Sequence, residues 1–308
     1  GCIAPPPASI PPQGLASAAA AMTGPGSSTG SPAVASTQRL ARSAWVEGSS
    51  PPRICLCVCG SVAAVKLPEL LDAFTARGCA VDVVISQAAS HFVDRVAYRG
   101  RTGAQAIADL RARLRPGAVE LWRDEDEWQC YGAVGEDPVL HVEIARRCDL
   151  LIVAPLDANT LAKAALGLAD NLLSCVLRAW PYDMEADAAD AARAAKPLIV
   201  APSMNTAMWR QRVTKEHIMT LIRRGVCVVD PVCKVLACGD QGKGAMAPVP
   251  ELVASALDSL PEAARARLDA PALLAAAGST VTRKQVASPP AERPDGAGGE
   301  KRRRVSAV

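Results

Sequence analysis

RICLCVCGSVAAVKLPELLDAFTARGCAVDVVIS, residues 53–86, decides the fold. An apolar run, Ile54–Cys59, ends at Gly60-Ser61, and Val62, Val65, Leu70 and Phe74 then recur near helical spacing. A second apolar run, Ala80–Ile85, follows Gly78. Short, near-continuous runs suit strands buried on both faces, and the 3.6-residue period between them suits an amphipathic helix. Ser61 is placed to cap that helix and Gly78 to stop it, while Pro68 predicts a kink in Val62–Arg77. Strand, helix and strand in this order form the unit of a parallel sheet.

The same alternation continues outward. Leu150–Ala154, Pro197–Ala201 and Val226–Asp230 read as further buried strands, and Val119–Trp122 as a weaker one. Helices are expected over Asp137–Arg147, opened by Asp137-Pro138, and over Asn159–Trp180, broken near Gly167. Two more are expected over Thr214–Arg224, ending at Gly225, and over Glu251–Leu260. Segments 99–117 and 183–195 read as inserted loops, the second solvated. The expected fold is α/β: a single-domain, doubly wound parallel sheet of the Rossmann or flavodoxin-like three-layer kind, spanning residues 53–262. Residues 1–50, mostly Ala, Pro, Ser and Gly, and the Pro-, Gly- and charge-rich 279–308 lack the apolar spacing that would offset the entropy of ordering. Both are expected to be disordered.

Composition excludes several classes. The 308 residues are 50% apolar, and the formal net charge is +3, with much of the surplus in Lys301–Arg304. The folded body therefore has no nucleic-acid footprint. No apolar run approaches the ~18 residues of a membrane span. The 11 cysteines are scattered and do not form the framework of a small secreted scaffold, so reduced thiols in a cytoplasmic setting fit. The acid-poor N-terminal stretch leaves an organelle-targeting reading open, and Lys301–Arg304 a nuclear one, with a solvated charge run as its plain alternative.

In an open parallel sheet, ligands bind beyond the carboxyl ends of the strands. The unusual residues fall there: Gly60-Ser61, Ser86, Pro155–Thr160, Pro202–Trp209 and Pro231–Asp240. Gly60-Ser61 and Asp157-Ala158-Asn159-Thr160 are polar helix starts, able to offer backbone N–H groups to an anion. Two such starts suit one phosphate plus a polar ring better than a long dinucleotide. Of the 3 histidines, His141 lies among apolar helix residues, His217 reads as solvated, and His91 precedes Phe92 in a loop where it could line a pocket. Cys55, Cys57 and Cys59 point to one strand face as small core residues, without the spacing of a zinc site. Cys238, in a glycine-rich loop with Gly242 and Gly244, is better placed for proton transfer or nucleophilic work.

Pro202-Ser203-Met204-Asn205-Thr206-Ala207-Met208-Trp209 carries a resemblance, joined by Gly60–Ala64, Leu140-His141, Ala154–Leu161, Asp170–Leu173 and Leu236–Asp240. On these motifs the sequence resembles the homo-oligomeric flavin-containing cysteine decarboxylases, over roughly 53–260. The resemblance implies FMN as cofactor, held at positions matching Gly60, Ser61, Val62, Ser86, Phe92, Asp157, Ala158, Asn159, Thr160 and Ala201. It implies His141 as catalytic base, Asn205 as the grip on the substrate carboxylate, Met208 and Ala237 as substrate neighbours, and Cys238 as proton donor. Arg146 matches a basic residue that meets the substrate phosphate, with an ordinary surface arginine as the alternative. The implied substrate is 4'-phosphopantothenoyl-L-cysteine, converted to 4'-phosphopantetheine in coenzyme A biosynthesis. Its thiol is oxidised by the flavin, CO2 leaves, and the electrons return. The resemblance also implies a homotrimer with intersubunit sites, where His141 faces Asn205 and Cys238 of another chain. A regulatory, inhibitory subunit of a protein phosphatase on the same fold is the other functional class. Three departures from the family pattern fall at the phosphate end: Cys148 after Arg147, Lys234-Val235 before the cysteine loop, and Pro248 after Ala247.

Overall fold

The computed structural model describes residues 50–129, 131–134, 136–184, 195–236, 239 and 241–269, all within one unit. Its centre is a 6-stranded sheet. In chain order the strands are β1 (Arg53–Val58), β2 (Ala80–Ile85), β3 (Val119–Trp122), β4 (Leu150–Leu156), β5 (Leu198–Pro202) and β6 (Cys227–Val228). They lie side by side as β3-β2-β1-β4-β5-β6 and every pair is parallel. The chain builds outward from β1 in one direction, then returns and builds outward from β4 in the other. That reversal makes a crevice between β1 and β4 at the carboxyl edge.

The helices are α1 (Leu67–Thr75), α2 (Gln87–Asp94), α3 (Gly103–Arg113), α4 (Asp124–Gln129) and α5 (Leu140–Arg147), then α6 (Ala158–Leu166), α7 (Leu172–Ala179), α8 (Thr206–Arg210), α9 (Arg212–Arg223) and α10 (Val249–Ser259). The strand period of two sorts β1 between two core layers. Ile54, Leu56 and Val58 pack with Leu70, Phe74, Leu252 and Val253, from α1 and α10. Cys55 and Cys57 face the other way, toward Trp122, Leu140, Ile144 and Val176, the last three from α5 and α7. The strand cysteines are thus core residues, as their alternation predicted.

A charged network crosses the second layer. Asp82 on β2 is fully buried and accepts hydrogen bonds from Arg147 Nε (2.7 Å), Arg53 Nη1 (3.3 Å) and Trp122 Nε1 (3.2 Å). Its counterpart at the end of α5 is Lys196, whose Nζ donates to the carbonyls of Ala145 (2.9 Å), Arg146 (2.7 Å) and Cys148 (2.8 Å). These satisfy carbonyls that a helix end otherwise leaves without partners.

Several expectations need correction. Segment 99–117 is not a loop: it contains α3, started by a capping box between Thr102 and Gln105. Its buried side, Ala106, Ile107 and Leu110, recurs at helical spacing but is set among alanines and arginines that dilute the pattern. The stretch Val62–Arg77 is not one kinked helix but a 3-10 turn, Val62–Lys66, followed by α1 with Pro68 in its first turn. Pro68 lacks an N–H, so it fits a helix start better than an interior. The helix of His141 begins at Leu140 and not at Asp137, whose carboxylate instead accepts the N–H groups of Gly132 and Ala133, each at 2.8 Å. His91 lies in α2, exposed, and not in a loop. The last strand is shorter than Val226–Asp230. A hairpin that the sequence did not announce, β7 (Val232–Val235) with β8 (Gln241–Ala245), follows it. The expected disordered ends and most of 183–195 lie outside the described residues. Among the described residues no helix is long and apolar enough to cross a membrane.

Candidate active site

The β1–β4 crevice is closed at its base by a single carboxylate. Asp157, the N-cap of α6, accepts the Thr160 N–H at Oδ1 (2.7 Å) and the Gly60 N–H at Oδ2 (2.9 Å). One side chain therefore starts α6 and ties it to the turn after β1. Gly60 has no room for a side chain, because a Cβ there would lie 2.5 Å from the Ala88 Cβ. Ser61 caps the 3-10 turn, accepting the Ala63 N–H, and its Oγ lies 3.0 Å from Ser203 Oγ across the crevice. At the next strand end, Ser86 caps α2 through the Ala89 N–H at 3.2 Å. Three successive strand-to-helix turns are thus capped by short polar side chains on one edge, where helix N-termini favour negative charge.

Above these turns lies a cavity of about 510 Å³, within the 300–1,000 Å³ range common for ligand pockets. Its apolar walls include Val62, Phe92, Met204 and Met246, and its polar positions include Ser61, Ser203 and Asn205. Lys66 and Lys234 also line it. Burial, and after it the charge of Lys234, holds the Lys66 ammonium below the usual lysine range. Two cations lining one concave site make it receptive to an anion. Flat apolar walls, hydroxyls at a strand edge and paired lysines match the donor set that a phosphorylated ring cofactor needs. Asn205 caps α8, its Oδ1 accepting the Ala207 N–H at 2.7 Å, so the amide nitrogen is the end that can donate to a ligand carboxylate. The hairpin closes the far wall: Met204 N–H donates to Gly244 O at 2.9 Å, and Val235, Leu236 and Ala245 face the cavity.

Of the residues singled out from sequence, Gly60, Ser61, Val62, Phe92, Asp157, Ala158, Asn205 and Met208 come together here. Ser86 and Thr160 support the same edge as a cap and a capped residue. Ala201 is buried in β5, and Asn159 is exposed on α6. Ala237 and Cys238 lie outside the described residues. His141 is not brought to this cavity by its own chain. It sits at the start of α5, its Nδ1 2.7 Å from Glu127 Oε1. Arg146, further along α5, pairs with Glu143 at 2.7 Å on the surface. Cys59, beside the crevice, is disqualified as a nucleophile: its thiol is pushed up to about 12, first by burial and then by the charge of Asp157.

Sequence reasoning missed Lys66, Ser203 and Glu127. Ser203 stood inside the quoted octapeptide, and Lys66 followed the Gly60-Ser61 turn by one helical turn, so both were findable. Glu127 belongs to the acidic run Asp124-Glu125-Asp126-Glu127, which in sequence is indistinguishable from a solvated helix face. A second cavity, of about 260 Å³ between α6, α7 and α9, contains none of the predicted site residues.

Comparison with known proteins identifies the family. The family model described as Flavoprotein matches residues 45–260. A phosphopantothenoylcysteine decarboxylase of Arabidopsis thaliana is 42% identical over 196 residues, covering 64% of this chain and 79% of that protein. The phosphopantothenoylcysteine decarboxylase of Mus musculus is 40% identical over 203 residues, 66% of this chain and 84% of its own. Among solved structures, a mutant PPC decarboxylase complexed with pantothenoylaminoethenethiol is 40% identical, covers 67% of this chain and 96% of that one, and superposes with a TM-score of 0.55. The FMN-binding protein AtHal3 is 40% identical, with coverage of 66% and 94% and a TM-score of 0.53. The chain therefore belongs to the flavoprotein family, in its phosphopantothenoylcysteine decarboxylase branch.

Proposed function

We propose that this protein is an FMN-dependent decarboxylase that converts 4'-phosphopantothenoyl-L-cysteine to 4'-phosphopantetheine in coenzyme A biosynthesis. The observation that carries the reading is the cavity at the β1–β4 crevice, which gathers Ser61, Ser203, Asn205 and paired lysines against apolar walls. FMN, when bound, would supply a reversible two-electron acceptor, and decarboxylation of a cysteine needs such a sink because it leaves an electron pair on carbon. The turn Gly60–Val62, the cap Asp157, and Phe92 shape the cofactor's seat. Asn205 orients the substrate carboxylate through its amide N–H, and Met208 lines the cavity beside it. Lys66 and Lys234 supply positive charge for a phosphate in the cavity. His141 is the base that accepts a substrate proton, and Cys238 the acid that returns one to the product.

The reading includes a homotrimer in which His141 and Arg146 of one chain complete the cavity of the next. Trp128, next to the Glu127 that bonds His141, is 75% exposed, which suits a surface that another chain covers. It also places the protein in the cytoplasm; the described cysteines are all free thiols, which suits a reducing compartment.

The test is mass spectrometry of the bound cofactor joined to a turnover assay with phosphopantothenoylcysteine. The expected result is a yellow protein that releases FMN on denaturation and CO2 on turnover. His141→Asn should keep the flavin and lose turnover, and Cys238→Ser should release CO2 yet accumulate an oxidised product. A colourless preparation that FMN does not reconstitute, or a flavoprotein inert toward this thiol, overturns the assignment.

A further inference from the structure

We infer that Glu127 is a positioning residue for His141, holding the imidazole so that Nδ1 carries the proton and Nε2 presents its lone pair outward to a substrate. The inference rests on the reading of His141 as the base. Glu127 Oε1 lies 2.7 Å from His141 Nδ1, and the two side chains are only 11% and 27% exposed. A carboxylate can only accept, so the shared hydrogen belongs to Nδ1, and a neutral ring protonated there has its lone pair on Nε2.

Two observations separate this pair from an ordinary surface bridge. The second oxygen of Glu127, Oε2, is buried without a hydrogen-bond partner among the described residues. Desolvation of that kind is costly for a carboxylate unless a positive charge can form beside it. His141 is the group placed to supply it: when Nε2 takes a proton from a substrate thiol, the imidazolium forms against Glu127 and no electrons are exchanged between protein groups. Secondly, the neighbouring acids are committed elsewhere. Asp124 Oδ1 accepts the Leu172 N–H at 2.9 Å, and Asp126 accepts the Arg123 N–H at 2.8 Å. Across α7 the titratable groups on this side are Cys175, its thiol pushed up first by burial and then by Glu127, and, before α7, Asp170, paired to Lys163 at 2.8 Å. Glu127 alone of the run is turned to the histidine. It acts through His141 and touches no substrate itself, the arrangement by which a buried carboxylate fixes a catalytic tautomer in unrelated hydrolases.

The experiment is nitrogen NMR of the full, FMN-loaded chain with labelled histidine rings, recorded where the imidazoles are neutral, with His141 identified by its absence in His141→Asn. His91 and His217 provide the internal reference. The wild type is expected to show His141 as the Nδ1–H tautomer, and Glu127→Ala to return it toward the Nε2–H form that free histidine favours. In turnover, Glu127→Ala should lower kcat on the order of 10²-fold with KM little changed, the scale of a positioned acid–base group. Glu127→Gln, which can still accept from Nδ1 but bears no charge, should keep the tautomer and fall between the two rates. Retained flavin absorption reports an intact fold in each variant. An Nε2–H tautomer in the wild type, or wild-type kcat in Glu127→Ala, overturns the inference. A wild type without flavin or turnover instead overturns the decarboxylase reading, and the tautomer of the wild-type chain then still decides whether Glu127 orients the ring.

Discussion

Asp157 shows how much one side chain can settle. As an N-cap it does what any Ser, Thr or Asn would do for α6, but its second oxygen also holds the Gly60 N–H at 2.9 Å and so fixes the width of the crevice. Asp157→Ala removes a cap and leaves the Gly60 N–H seeking water, a loss of about 1–3 kcal/mol. Asp157→Asn is the sharper probe. Its carbonyl can still cap Thr160, but its NH2 then faces the Gly60 N–H, donor against donor. Both variants should melt lower, and both should bind FMN more weakly than the stability loss alone explains, measured by thermal unfolding and flavin titration. Asp82 poses the opposite problem, a carboxylate fully buried in β2. Burial pushes its carboxyl up, yet the guanidinium charges of Arg53 and then Arg147 outweigh this and hold it below the ordinary carboxylate range. A folded pKa below the unfolded value of about 3.9 means that the stabilisation is complete above that pH and is lost as pH falls through the folded value. Asp82→Asn should therefore cost about 3–5 kcal/mol at neutral pH, since it removes the buried negative charge that both guanidiniums face. In chemical denaturation the gap to wild type should stay constant down to about pH 5 and close only in strong acid.

At the scale of elements, legibility followed periodicity. The buried strands β1, β2 and β4 were readable because strands covered on both faces are mostly apolar, Arg53 and Asp82 apart, and the break at Gly167 because a helix ending in the left-handed region favours glycine (φ 74°). Helix α3 escaped because its buried stripe, Ala106, Ile107 and Leu110, is short and set among alanines and arginines, so the helical period stands out weakly. The hairpin β7–β8 escaped for a related reason. Its second strand, Gln-Gly-Lys-Gly-Ala, lacks every β-forming side chain, and its place is set by contact with the Met204 loop. Glycine is required there by space: at Gly244, with φ 154°, a Cβ would sit 2.3 Å from the Met204 carbonyl oxygen. At Gly242 a Cβ would meet the Thr206 side chain, Cγ2 and Oγ1 each at 2.7 Å, a clash with a buried side chain and not with a backbone carbonyl. Gly244→Ala should thus lift the hairpin at a cost of about 1–3 kcal/mol, quicken exchange of the Met204 amide and weaken flavin binding. Gly242→Ala should do each of these more mildly. Equal effects of the two substitutions would mean that the backbone contact does not hold the hairpin.

The whole molecule divides its candidate machinery between two places, and here the sequence said more than one chain can show. The order of motifs along the chain predicted a crevice at the carboxyl edge, and the strand order places one between β1 and β4. The motifs could not reveal that Asp157 bridges that crevice or that Glu127 backs the histidine, because both depend on pairings 97 and 14 residues apart. Nor does the imidazole of His141 enter the cavity that Asn205 lines. A base must lie within hydrogen-bond reach of the proton it removes, so on the proposed reading a second chain brings its α5 to the cavity of the first. The consequence is testable with two dead variants. His141→Asn has an intact cavity and no base, and Asn205→Ala has an intact base and no grip on the carboxylate. Each alone should be inactive while keeping its fold. Coexpressed in equal amounts they should form mixed assemblies in which about a quarter of the interfaces join an intact His141 to an intact Asn205, and activity should return to that fraction of wild type. Light scattering on the same samples fixes the number of chains. Recovered turnover requires that the base and the grip come from different chains, because no single chain in the mixture has both. If the mixture instead stays silent while mixed assemblies are demonstrably present, base and grip act within one chain, and α5 must then move toward the cavity when substrate binds.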